Sequence, residues 1–128
     1  MNIALITAFN NTLDDFLVDI QNAFPNETYL KAFYNGFLLL KKTNPKQTMT
    51  TFMEYVGPHA KEIKECNLEY FLNFSENENH LSIDDMYVQK GMRLKFLWTH
   101  PDTTDHTRAC IISYMQNLLK LGEKMQSL

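Results

Sequence analysis

Seven apolar residues near the start of the chain leave little freedom for the fold. Ile6, Phe9, Leu13, Phe16, Leu17, Ile20 and Phe24 follow one another at steps of three, four, three, one, three and four. Steps of three and four put side chains on one face of an α-helix. Asp14, Asp15 and Asp19 fall largely off that face. Pro25 closes the pattern, because the residue before a proline is pushed out of the helical region. A long amphipathic helix must bury its stripe against other elements, so the rest of the chain has to supply them.

It supplies more helices. Asn26 is a suitable N-cap for a second one carrying Tyr29, Leu30, Phe33, Phe37, Leu38 and Leu40. Gly36 inside it weakens the helix or allows another helix to approach closely. Lys41 and Lys42 suit its negative C-terminal end. In Thr43-Asn44-Pro45, Asn44 can cap and Pro45 fits the first helical position of a third helix. That helix carries Met49, Phe52, Met53 and Val56, and Gly57-Pro58 is expected to break or sharply kink it. The phase resumes with Ala60 and Ile63, and a short helix is expected over 67–74. Residues 75–81 read as a loop. Ser82 to Asp85 resembles a capping box opening a helix through Ile83, Met86, Tyr87, Leu94, Leu97 and Trp98. After a turn at 99–104, Ile111, Ile112, Met115, Leu118 and Leu119 mark the final helix. No stretch alternates at period two. The expected fold is all-α: one domain over 1–128, a single compact bundle of five to seven helices.

Composition excludes several classes. At 128 residues the chain has room for one core. Net charge is -3, which argues against DNA or RNA binding by the whole surface. The charge is uneven, with three acids and no base in 1–24, and six bases against three acids in 87–128. Two cysteines, Cys66 and Cys110, make no disulfide framework and read as reduced, half-buried thiols. The N-terminal stretch lacks a basic region, so no signal peptide is expected. No apolar run nears the ~20 residues that span a bilayer. The expected location is intracellular (cytoplasm or nucleus) or a particle, with no membrane contact.

Three constellations could carry chemistry. His106 and Cys110 stand four apart on a helix, with His100 just upstream; the three are candidate metal ligands. His106 and Cys110 also form a candidate thiol–base pair. Against both stands the plainer reading of a histidine at a helix start and a small buried thiol. Lys41, Lys42, Lys46, Arg93 and Lys95 are candidate phosphate contacts, against a plainer reading as solvated helix ends. The pairs Asp14/Asp15 and Asp84/Asp85 point about 100° apart on a helix and are poorly placed to share a proton. SENENHLSIDD (75–85) lacks the core of a calcium loop. There is no glycine-rich phosphate loop, GxSxG, HExxH or dinucleotide fingerprint, and no cofactor is expected.

Four segments carry a resemblance. FNNTLDDFLVDIQNAFPNE (9–27), KKTNPKQTMTTFMEYVGPHAKEI (41–63), EYFLNF (69–74) and YMQNLLKLGEKM (114–125) are similar to small uncharacterised helical proteins of nucleocytoplasmic large DNA viruses. The shared features are a phenylalanine-asparagine start, a Phe-Pro break, a lysine-asparagine-proline step and an aromatic-leucine run. This chain departs from that pattern at His59, where a tyrosine is expected. The resemblance implies a viral origin and a helical fold, and it brings no catalytic residues. The expected function is a non-enzymatic protein-interaction or virion-associated protein with a viral or host protein partner. The alternatives are a nucleic-acid-associated protein using the lysine-rich helix ends, and a small metal or thiol enzyme centred on His106 and Cys110. Homo-oligomerisation is compatible with each.

Overall fold

A computed structural model describes residues 2–67 and 94–128. Among them the chain is helical with no strand, as the periodicity predicts. The elements are α1 (Ile3–Ala23), α2 (Thr28–Thr43), α3 (Pro45–Val56), a 3₁₀ turn (Gly57–His59), α4 (Ala60–Lys64), α5 (Leu94–Trp98) and α6 (Asp105–Gln126). No helix among the described residues is long and apolar enough to cross a membrane.

α1 is the organising element and packs on α2, α3 and α6. Its apolar stripe is buried as the spacing predicts: Ile6, Phe9, Phe16, Leu17, Ile20 and Phe24 are in the core, with Leu13 at its margin. Each fully buried large side chain contributes about 1.5–3 kcal/mol relative to exposure. Leu30 and Phe37 come from α2, Met49, Met53 and Val56 from α3, and Ile63 from α4. Leu97 comes from α5, and Ile111, Met115, Leu118 and Leu119 from α6.

The helix ends show how local chemistry sets the boundaries. Asn2 caps α1 by accepting from the Leu5 N–H at 3.1 Å. Thr104, in an extended conformation, caps α6 by accepting from the Thr107 N–H at 3.1 Å. Asn26 does not cap α2; the helix begins at Thr28, with Glu27 in the cap position. Asn44 holds the cap position of α3 and Pro45 its first turn, but the Asn44 side chain makes no capping bond. That corner is fastened from α1 instead. The buried Asn10 donates from Nδ2 to the Pro45 carbonyl at 3.0 Å and accepts from the Thr48 hydroxyl.

Gly57-Pro58 interrupts α3 more gently than a break. Gly57 keeps helical angles, and one 3₁₀ turn leads straight into α4. Just beyond α4 and its cap residue Glu65 stands Cys66, whose φ of 62° is the left-handed conformation usually left to glycine. The Cys66 N–H donates to the Ile63 carbonyl and the Asn67 N–H to the Glu62 carbonyl, the paired bonds of a Schellman ending.

Close helix packing falls on a different glycine from the one the sequence suggests. At Gly36 a Cβ would meet nothing within 4 Å. At Gly122 it would stand 2.7 Å from Met53 Cγ, so the absence of a side chain there lets α6 lie against α3. The short helix expected after Asn67, the 75–81 loop and the Ser82 cap lie outside the described residues.

Candidate functional site

Residues 101–105 separate two histidines with very different surroundings. His100 ends the segment after α5 and leaves only 12% of its side chain exposed. Its ring meets Phe24 edge-on at 4.9 Å and Phe96 at 5.4 Å between centroids. Nδ1 accepts the Asp102 N–H at 3.0 Å, which places the ring proton on Nε2, and Nε2 donates to Glu27 Oε1 at 3.0 Å. His100 therefore fastens the α1–α2 corner to the α5–α6 turn. Arg108 strengthens the same turn: its Nε donates to the Trp98 carbonyl at 3.1 Å, and its guanidinium lies over the Trp98 ring.

His106 occupies the first turn of α6 and is exposed. Its Nε2 stands 3.7 Å from Cys110 Sγ, one helical turn on. Both residues line an open groove of about 270 Å³ between α1 and α6, bounded by Phe16, Asp19, Ile20 and Tyr114. Tyr114 stacks on Phe16 at 4.9 Å, and its hydroxyl donates to Asp19. That bond, with burial and the nearby negative charges second to it, pushes the Tyr114 hydroxyl up from 10.0 to about 12.

The sequence thus brings His106 and Cys110 together correctly, while His100 is engaged elsewhere. Recruiting His100 to a set of all three ligands would mean breaking at least one of its two ring-nitrogen hydrogen bonds. Among the described residues, no group of three or more His, Cys, Asp or Glu side chains is arranged to hold a metal ion. Asp19 and Tyr114 complete the groove and carry no sequence signal as a pair, since they lie 95 positions apart. The cysteines are both free; Cys110 is half-buried as expected, but Cys66 is exposed.

The lysines also divide. Lys41 Nζ bonds Asp14 at 2.9 Å and lies over the Phe37 ring. Asp14 accepts from the Tyr34 hydroxyl as well, at 2.7 Å. Partial burial raises the Asp14 carboxyl, but the bonds from Lys41 and Tyr34 outweigh it and hold the group below its usual value. Asp14 is therefore a bonded joint between α1 and α2, not the solvated acid its position suggests. Lys42 and Lys46 are exposed and pair with no carboxylate among the described residues. Of the remaining two, Arg93 and the side chain of Lys95 lie outside the described residues.

Lys41 and Lys46 flank a second, larger hollow of about 530 Å³ where α1 meets the α2–α3 corner. Ile3, Ile6, Asn10 and Pro45 line it. Ile3, at its edge, is 72% exposed. Comparison of the chain with protein-family models, curated proteins and solved structures finds no match.

Proposed function

We propose that this chain is a non-catalytic helical interaction protein whose hollow beside Ile3 receives an acid-flanked apolar segment of a protein partner. The observation that carries this reading is the pairing of exposed Ile3 with a hollow flanked by Lys46. An apolar side chain from the partner would cover Ile3 and Ile6. A partner carboxylate would meet Lys46, which has none of its own among the described residues. Lys41 contributes less, because Asp14 already neutralises it. The resemblance to proteins of large DNA viruses supports a role as a virion component or a host-directed adaptor.

The nucleic-acid alternative gains no comparable support. The Lys41 charge is internally paired, and net charge is -3.

The test begins with a protein recovered with the tagged chain, then identified, purified and titrated directly. Ile3→Asp and Lys46→Glu should each weaken that complex by about tenfold or more, a loss of about 1.4 kcal/mol. Both positions are exposed, and an acid in the first turn of α1 suits the helix dipole, so both variants should fold. Unchanged affinity in both variants, or a recovered protein that does not bind directly, would overturn the reading.

A further inference from the structure

His106 and Cys110 have the separation of two ligands on one metal ion. Zinc binds sulfur at about 2.3 Å and imidazole nitrogen at about 2.0–2.1 Å; at a tetrahedral angle the two donor atoms then stand about 3.6 Å apart. Cys110 Sγ and His106 Nε2 stand 3.7 Å apart. The α-helix sets this spacing, since residues four apart lie one above the other. His106 is exposed, so the pair is reachable from solvent.

A pair is half of a tetrahedral set. No third His, Cys, Asp or Glu among the described residues joins it in a metal-holding arrangement. A second copy of this chain, related by a twofold axis, would present the same pair and complete two cysteines and two histidines. The neighbouring surface of α6 permits that approach. Ala109 and Ser113, the exposed residues beside Cys110, are small. Two helices with small residues at their crossing approach to about 8 Å. Asp19, at the edge of the groove, adds negative charge that favours a cation.

We propose that His106 and Cys110 form a half-site for a zinc-class divalent ion, and that the ion joins two copies of the chain through α6. Each Cys110 thiol releases its proton to solvent as it becomes a thiolate ligand, and each His106 binds through Nε2. The half-site shares no lining residue with the hollow beside Ile3, so the proposal stands apart from the partner-docking function.

The experiment measures the mass of the full chain by sedimentation with zinc chloride and then with excess chelator, alongside the metal content. The expected result is a shift from 15.0 kDa to about twice that mass, one zinc per two chains, and reversal by the chelator. Cobalt(II) in place of zinc should show the intense visible absorption of a tetrahedral thiolate site. Cys110→Ser and His106→Ala should each abolish the dimer and weaken zinc binding by at least about 100-fold. Cys66→Ser should leave both intact, which separates the site from the chain's other free thiol. If Cys110→Ser does not fold, His106→Ala at its exposed position decides. A mass of 15.0 kDa at saturating zinc, one zinc per chain without dimer, or a zinc-dependent dimer that survives His106→Ala would overturn the proposal.

Discussion

His100 is held between Phe24 and Phe96 with both ring nitrogens bonded, whereas His106, six residues later, faces solvent with only the Cys110 thiol beside it. Both are single histidines next to the same turn, and the sequence grouped them as ligands of one ion. The difference lies in unused bonding capacity. A histidine whose proton and lone pair are both engaged holds structure together. One whose ring is open to solvent beside a soft sulfur can take a ligand.

The sharpest way to break that comparison is to remove each ring in turn. His100→Ala takes away a half-buried bond to Glu27, the cap on the Asp102 N–H and two aromatic contacts, and should destabilise the fold by about 1–3 kcal/mol. His106→Ala, at an exposed position in the first turn of α6, should stay within about 0.5 kcal/mol in metal-free buffer. Urea midpoints of the two variants measure the difference. Equal losses would mean that the two surroundings are not distinct.

That contrast also marks how far the sequence could be read. The α1 stripe was legible because one helix face is a local property, fixed by spacing within a few turns. Pro25 and Pro45 were legible for the same reason: a proline constrains only its immediate neighbours. Asn26 is a suitable cap by residue type, but α2 opens one residue later, at Glu27, which makes no side-chain capping bond. The two glycines show the limit more clearly. Gly36 and Gly122 look alike in sequence, but only the one that meets Met53 lets two helices approach. Asp14 reads as a solvated acid until α2 brings Tyr34 and Lys41 against it from 20 and 27 positions away. The His106–Cys110 pair was legible because it is an i, i+4 pair. The removal of His100 from it was not, because Glu27 lies 73 positions away.

A second, gentler test asks which groups beside His106 are already engaged. Tyr114 donates to Asp19, and the Asp19 bond, then burial, raises its hydroxyl to about 12 from 10.0. The folded chain therefore keeps a proton that the unfolded chain gives up from pH 10.0 upward. This contribution to stability is complete below pH 10.0 and is lost as pH rises towards about 12. Spectrophotometric titration should show a late tyrosine that Tyr114→Phe removes, and the variant's stability should fall less steeply over that alkaline range. A variant titrating like the wild type would show that the groove's tyrosine is not held by Asp19.

The two cysteines repeat the histidine contrast on a smaller scale. Cys110 keeps its sulfur available in the groove, whereas Cys66 is used for its backbone. At φ 62° a residue with a Cβ is strained by about 1–2 kcal/mol, and here the strain is offset by the two bonds that close α4. The Cys66 sulfur adds a contact, accepting from Gln116 Nε2 at 3.2 Å, but at an exposed position. Glycine would relieve the strain and lose that contact, while making the unfolded chain more flexible. The net expectation for Cys66→Gly is a small gain, up to about 1 kcal/mol, read as a higher urea midpoint with an unchanged slope. Cys66→Ala keeps the strain and loses only the sulfur contact, so it should fall slightly below the wild type. If glycine also lowers the midpoint, Cys66 is held by its side chain after all, and the contrast with Cys110 narrows to exposure alone.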